Sequence, residues 1–200
     1  MGCAVLVYAK TSGGIAGDRN RPLSSRPRLP DGGWQDFGIR LTELANRLVE
    51  WGIRLACHYH MGTGRRDRGR NRPLMAATGG SVGLLLDTGY SVFAGADPTD
   101  VAWRHRLRIN HVHCKDVRPG VLARMRTADQ SFLHAVLDGV FTVPGHGTID
   151  FAAVLTALKA ADYRGWFVVE AEQDPAKASP VMYARRGFAH LSAAIHATRL

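Results

Sequence analysis

Four successive apolar segments of this chain have a histidine or a carboxylate at or near their carboxyl end, and this feature most constrains its fold. These segments span residues 53–60, 82–87, 109–115 and 166–172, and a fifth apolar segment lies at 4–9. They are rich in Val, Ile, Leu and Phe, as expected of parallel strands that are covered on both faces. We therefore interpret all five as strands of one parallel sheet.

The stretches between these segments contain signals typical of helices. Apolar residues recur every three or four positions from Trp34 to Leu48, which gives one apolar face. Asp97 and Asp150 have the side chain and context of helix N-caps, and Pro180 is expected in the first turn of a last helix. The alternation of strands with helices is typical of an α/β fold.

The strand ends contain residue types that bind metals or transfer protons. In chain order these are His58 and His60, Asp87, His111 and His113, then Glu170 and Glu172. Because side chains alternate along a strand, the two members of each pair share a face. Carboxyl ends of strands converge on one site in a (β/α)8 barrel but spread along an edge in an open sheet. The sequence therefore predicts a (β/α)8 TIM barrel.

The chain has 200 residues and five strand segments, whereas a complete barrel has eight strands and about 250 residues. We expect a single partial barrel domain over residues 1–200, with about the last five βα units and an exposed apolar edge. The long apolar window of a membrane span is missing from the sequence, and its three cysteines are widely spaced. These features predict a cytoplasmic protein that does not bind membranes.

The net charge of +9 is concentrated in one anomalous Arg-rich segment, residues 65–73, which holds five Arg and one Asp. Three interpretations stay open for it: a solvated charge run, a phosphate-binding loop, or a short out-of-frame read that ends before Leu74. Aromatic residues that would stack on bases are absent from its sequence. We therefore expect no nucleic-acid partner.

Longer motifs surround the strand ends. They are HYHMGT at 58–63, LLLDTG at 84–89, INHVHCKDVR at 109–118, GVFTVPG at 139–145 and VVEAEQDPAK at 168–177. Together these motifs resemble the inosose dehydratases, a family of xylose isomerase-like TIM barrels with sugar-phosphate isomerases and epimerases as relatives. The similarity extends from Val5 to about Leu191.

The resemblance implies a carbon–oxygen lyase of inositol catabolism, which dehydrates 2-keto-myo-inositol to a trihydroxycyclohexane-dione. It also implies a divalent metal, manganese or cobalt, and it associates glutathione with the family. Carried over position by position, the metal ligands fall on Asp87, His113 and Glu170, with His58 or His60 as the fourth.

The residue types agree with such chemistry. Carboxylates and imidazoles form a ligand set suited to Mn, Co, Fe or Zn. Dehydration beside a ketone needs a polarised carbonyl, removal of a proton from the adjacent carbon and protonation of the leaving hydroxide. The candidates for these proton transfers are Lys115, His111 and Glu172. The alternative for Lys115 is a salt bridge to Asp116 at the start of a loop.

Two residues depart from the family pattern, since Tyr90 replaces a usual His and His146 a common Asp. With three barrel strands unaccounted for, one alternative to an active dehydratase is an inactive fragment.

A second alternative is a sugar or sugar-phosphate isomerase or epimerase that uses the same metal. The expected partner is a small cyclitol or sugar substrate, and a homo-oligomer that covers the exposed edge stays open.

Overall fold

The computed structural model of the chain describes residues 2–27, 33–59 and 71–200. The strands are β1 Val5–Ala9, β2 Arg54–His58, β3 Val82–Asp87, β4 Ile109–Cys114, β5 Asp116–Val117, β6 Phe141–Thr142 and β7 Phe167–Val169. The helices are α1 Gly33–Glu50, α2 Asn71–Ala77, α3 Thr88–Phe93, α4 Pro98–His105, α5 Pro119–Thr127, α6 Phe132–Leu137, α7 Phe151–Lys159 and α8 Pro180–Thr198, with a 3-10 turn at Leu23–Ser25. Strands and helices alternate along most of the chain, as the sequence predicts.

Five of the strands form one parallel sheet in the order β1-β2-β3-β4-β7, and β5 pairs with β6 in a small antiparallel ribbon. All five predicted strands are confirmed, although β7 ends at Val169 rather than at residue 172. The two glutamates that follow it therefore lie beyond the strand, and Glu172 has a φ of +46°, which an extended strand does not allow. Because the strands are parallel, their carboxyl ends lie along the same edge.

The predicted helix starts are confirmed. The Asp97 carboxylate accepts a hydrogen bond from the backbone N–H of Thr99 at 2.7 Å, and that of Asp150 accepts one from Ala153 at 3.0 Å. Each carboxylate thus satisfies an N–H group that has no partner inside its helix. The apolar face predicted from residue 34 to 48 lies in α1, which begins at Gly33.

The main hydrophobic core lies between the sheet and the helices that pack on it. Leu84 and Leu86 of β3 are fully buried in a cluster with residues of β4, α4 and α7, and burial of each such side chain stabilises the fold by about 1.5–3 kcal/mol. A second cluster joins α3, α6 and β6 through Phe93, Phe132 and Phe141. The strand-end site lies beside this aromatic cluster.

The sheet does not close within the described residues. In that part of the chain β1 pairs with β2 alone and β7 with β4 alone. Leu6 and Val7 of β1 are each 42% exposed, so the expected apolar edge is present. Five adjacent parallel strands that stay open are what a partial barrel predicts.

The Arg-rich segment falls mostly outside the described residues, and its last three positions form the start of α2. The described cysteines are free, with Cys57 and Cys114 buried and Cys3 exposed. None of the described helices combines the length and the apolar character that crossing a bilayer requires.

Candidate active site

Three side chains from adjacent strands meet at the carboxyl edge of the sheet. His58 ends β2, Asp87 ends β3, and His113 is the second-last residue of β4. The Asp87 Oδ2 atom lies 3.4 Å from His58 Nε2 and 3.8 Å from His113 Nδ1. All three potential ligand atoms lie within 4.8 Å of one another, as the ligands of one metal ion must.

A bulge in β4 sets this register. Leu84 pairs with Ile109 but Leu85 pairs with His111, so Asn110 is an extra residue between the two pairs. Its side-chain amide donates to the Leu55 carbonyl at 3.0 Å. After the bulge Asp87 is paired with His113, which places both side chains on the same face of the sheet.

The two carboxylate oxygens of Asp87 have different functions. Oδ1 accepts a hydrogen bond from the backbone N–H of Tyr90 at 2.7 Å and so caps α3. Oδ2 points at the two histidines and at the Lys115 ammonium. The side chain is fully buried, so the cap fixes which oxygen faces the site.

Two of the converging atoms lack hydrogen-bond partners. Asp87 Oδ2 and His113 Nδ1 are buried, and neither has such a partner of acceptable geometry within the described residues. Both atoms have ion-pair contacts, Asp87 Oδ2 with His58 and Lys115 and His113 Nδ1 with Glu170. Coordination of an ion would give this carboxylate oxygen and imidazole nitrogen directed bonds, so the pair fits a divalent metal.

Glu170 borders this triad from the loop after β7. Its Oε1 atom lies 3.2 Å from His113 Nδ1, and its Oε2 atom lies 3.1 Å from Lys115 Nζ. The side chain is about one-third exposed, so it stands between the buried triad and solvent. Of the five predicted ligands, three converge and Glu170 adjoins them, while His60 lies outside the described residues.

Lys115 reaches into the site as a buried ammonium group with 2% exposure. Its Nζ atom lies 2.6 Å from Glu172 Oε2, 3.1 Å from Glu170 Oε2 and 3.5 Å from Asp87 Oδ2. Thr88 fixes the backbone of this residue, since its hydroxyl donates to the Lys115 carbonyl at 2.6 Å and accepts from the Lys115 N–H at 3.0 Å. Two predicted proton-transfer residues, Lys115 and Glu172, are thus in direct contact.

The alternative of a salt bridge between Lys115 and Asp116 is wrong. The Asp116 carboxylate accepts hydrogen bonds at 2.9–3.2 Å from the backbone N–H groups of Gly145, Gly147, Thr148 and Ile149. It therefore holds the loop after β6. His146 lies in this loop with its Nδ1 atom 3.1 Å from the Thr142 hydroxyl.

His111 lies two residues before His113 on the same strand, and the two ring centroids are 5.4 Å apart in a T-shaped arrangement. Its Nδ1 atom is buried without a hydrogen-bond partner within the described residues. Burial and the neighbouring His113 lower the pKa of His111, so the ring is neutral near pH 7. It adjoins the site through His113.

The charges of the site stabilise one another despite burial. Burial raises the pKa of Asp87, but Lys115 and the two histidines outweigh it and hold that pKa far below its usual range. Burial likewise raises the pKa of Glu170, which His113 and Lys115 lower to about 2. Burial lowers the pKa of Lys115, and the carboxylates around it raise that pKa above its usual value. Three carboxylates thus outnumber the Lys115 ammonium and the protonated His113 ring, and the excess negative charge favours binding of a divalent cation.

Sequence reasoning did not find the hydroxyl groups that support the site. Tyr59 donates to the Asp87 carbonyl at 2.9 Å and contacts the Ser91 hydroxyl at 2.6 Å. In the sequence Tyr90 stands out only where the family resemblance implies a His, yet its hydroxyl donates to Glu172 Oε1 at 3.1 Å. Its position three residues after Asp87, within one helical turn, is the signal that could have placed it at the site.

The family model of the xylose isomerase-like TIM barrel matches residues 1–194. This chain belongs to that family. The rhizopine catabolism protein MocC of Rhizobium meliloti is 49% identical over 192 residues, which cover 96% of this chain and 59% of that protein. An inosose dehydratase of Geobacillus thermodenitrificans is 45% identical over 186 residues, which cover 92% of this chain and 62% of that enzyme. The chain thus spans about three-fifths of the length of these curated relatives.

Solved structures show the same fold. A xylose isomerase domain protein from Alicyclobacillus acidocaldarius superposes with a TM-score of 0.66 at 20% identity, over 100% of this chain and 66% of that one. An IolI protein with a bound zinc atom superposes with a TM-score of 0.56 at 16% identity, over 97% of this chain and 62% of that one. These similarities establish the barrel architecture of the described strands.

Proposed function

We propose that this chain carries the active site of an inosose dehydratase, a hydro-lyase that removes water from 2-keto-myo-inositol to give a trihydroxycyclohexane-dione. The observation that carries the proposal is the convergence of His58, Asp87 and His113 beside the buried Lys115 ammonium. The identity of 45% to an inosose dehydratase over 92% of this chain supports the substrate class.

The metal would be held by His58, Asp87 and His113, with Glu170 as the adjoining fourth group. Manganese and cobalt fit two imidazoles and two carboxylates, and both are proposed from the family resemblance. When bound, such an ion polarises the ketone oxygen and makes the adjacent C–H group more acidic. Glutathione is proposed on the resemblance alone and is tested by adding it to the assay.

The side chains of this protein supply the proton transfers. Lys115 is protonated, because carboxylates surround its ammonium group, so it is not the base. We assign it the proton that is given to the departing hydroxide. Glu172 accepts a hydrogen bond from the same ammonium at 2.6 Å. We assign Glu172 as the base that takes the proton from the substrate carbon. Glu172 then passes this proton to Lys115, so that both side chains end each turnover in their starting protonation states.

The test is conversion of 2-keto-myo-inositol by the metal-free chain after addition of Mn²⁺ or Co²⁺. Mass spectrometry in D₂O separates the candidate reactions. We expect a product that has lost one water molecule. An isomerase or epimerase would instead return a sugar of unchanged composition that has gained deuterium at carbon. Recovery of unlabelled substrate with either metal would contradict both activities and support the inactive fragment.

Metal binding is expected to release about one proton near pH 7.5. Burial lowers the pKa of His113, but the Asp87 and Glu170 carboxylates raise it to about 9, so the ring is protonated below that pH. A ligand nitrogen must lose this proton, and the apparent affinity should rise about tenfold per pH unit between about 6 and 9. Calorimetric titration with Mn²⁺ in buffers of different ionisation enthalpy measures the release. His113→Gln should abolish it, whereas the exposed His134→Gln should not; equal heats in all buffers would contradict the prediction.

Gly89→Ala is expected to destabilise the fold by about 1–3 kcal/mol, because the added methyl group would overpack a buried side chain. Its Cβ atom would lie 2.7 Å from Cγ and 2.9 Å from Cβ of Lys115. The melting temperature should fall by roughly 2–10 °C. Gly120→Ala is the matched control, since among the described residues its Cβ would meet an Arg124 nitrogen at 3.8 Å, an ordinary van der Waals distance, and nothing nearer. Equal melting of the two variants would show that Gly89 does not make room for Lys115.

A further inference from the structure

We infer that Tyr90 is a positioning residue that fixes the Glu172 carboxylate and, through it, the Lys115 ammonium. Its hydroxyl contacts the Glu172 carboxylate, next to the Lys115 ammonium. The inference rests on the proposed function for the reaction that Lys115 serves, whereas the geometry stands without it.

The Tyr90 ring is held rigidly in place. It is 2% exposed and stacks on the His58 ring, with 5.4 Å between centroids and 12° between planes. Phe132 and Phe141 pack against it at 6.0 Å and 5.4 Å. Aromatic contacts on several sides leave the phenol oxygen one position, so its hydroxyl can act as a fixed donor.

This hydroxyl and its ring contact both members of one ion pair. Tyr90 donates to Glu172 Oε1 at 3.1 Å, while Lys115 donates to Oε2 at 2.6 Å. The Lys115 Nζ atom also lies 4.0 Å from the centre of the Tyr90 ring, within the range of a cation–π contact. Each oxygen of the carboxylate thus has its own donor, which defines its rotation.

Glu172 needs such support from its surroundings. Its φ of +46° is in the left-handed region, which residues other than glycine seldom adopt. Its side chain is about 30% exposed and lies beyond the end of β7. Contacts from Tyr90 and Lys115, rather than local backbone preference, therefore hold the carboxylate in the site.

The position of Glu172 decides where the ammonium lies. Lys115 Nζ is shared among Glu172 at 2.6 Å, Glu170 at 3.1 Å and Asp87 at 3.5 Å. With Glu172 fixed, the ammonium stays closest to the carboxylate that faces solvent and furthest from the buried Asp87. Loss of the phenol hydroxyl frees the Glu172 carboxylate to rotate away from the site. The Lys115 ammonium then loses the partner that keeps it next to Glu172.

The test uses Tyr90→Phe, which removes the hydroxyl and keeps the ring. The matched control is Tyr163→Phe, because Tyr163 is buried and donates to the Trp166 carbonyl at 2.9 Å, outside the site. We expect kcat to fall about tenfold in Tyr90→Phe, with KM and the Mn²⁺ dissociation constant changed by less than about threefold. The control should keep all three values. A crystal structure of Tyr90→Phe without substrate should show the Glu172 carboxylate turned away from the ring.

Two results would overturn the inference. One is a Tyr90→Phe structure in which Glu172 and Lys115 keep their positions. The other is a loss of Mn²⁺ affinity as large as the loss of kcat, which would mean that Tyr90 acts through His58 instead. If the parent chain dehydrates nothing, the proposed function fails, but the comparison of the two crystal structures still decides the role of Tyr90.

Discussion

Asp87→Asn is expected to lower the affinity for Mn²⁺ at least a hundredfold, because it removes the one charged ligand that is fully buried between both histidines. The asparagine oxygen still accepts from the N–H at position 90, so the cap of α3 is retained. Calorimetric titration gives the affinity, and thermal melting with and without Mn²⁺ gives the stabilisation that an ion bound to the folded state provides.

The matched control is Asp150→Asn, which changes an exposed N-cap of the same chemistry at the start of α7. It should melt and bind Mn²⁺ like the parent. If Asp87→Asn does not fold, His58→Gln supplies a second measurement at a less buried ligand, with the same expected loss of affinity. Unchanged Mn²⁺ binding in a folded Asp87→Asn or His58→Gln protein would contradict the triad.

Lys115→Met is expected to lower kcat by about a hundredfold to ten-thousandfold, the usual contribution of a proton donor. Its effect on metal affinity should have the opposite sign to that of Asp87→Asn. Removal of the ammonium leaves the Asp87, Glu170 and Glu172 carboxylates without their shared cation, so Mn²⁺ should bind at least as tightly as before.

Without metal, Lys115→Met should melt at a lower temperature than the parent protein. Addition of Mn²⁺ should raise its melting temperature again. The three carboxylates repel one another once Lys115 is gone, and a divalent ion takes the place of its charge. Lys159→Met is the control, since this lysine is exposed and donates to the Thr198 carbonyl at 2.7 Å, away from the site. A Lys115→Met protein with parental kcat would contradict the assigned role, and loss of Mn²⁺ binding would show that Lys115 organises the ligands instead.

The sequence predicts the sheet well because its strands have a strong local signal. The segment 82–87 is a continuous apolar run that ends in a carboxylate, and β3 has the same bounds. The caps at Asp97 and Asp150 are also local, because a carboxylate and the N–H it binds are only two or three residues apart. Such features need no knowledge of the rest of the chain.

The site itself depends on contacts between distant residues. Lys115 has a carboxylate beside it in the sequence, Asp116, but its closest partner is Glu172, 57 residues further on. Alternating glutamates at 170 and 172 have the pattern of a strand, whereas the backbone turns at Glu172 to present its carboxylate to Lys115. The bulge at Asn110 likewise follows from packing against its neighbours rather than from local preference.

The most direct measurement is anomalous diffraction from crystals of the full chain soaked in Mn²⁺. One peak is expected, at about 2.0–2.3 Å from His58 Nε2, Asp87 Oδ2 and His113 Nδ1, the usual distances of ligands to such ions. A peak at that position would establish the metal centre on which the proposed dehydration depends. An ion bound elsewhere, or no peak after soaking in millimolar Mn²⁺, would contradict it.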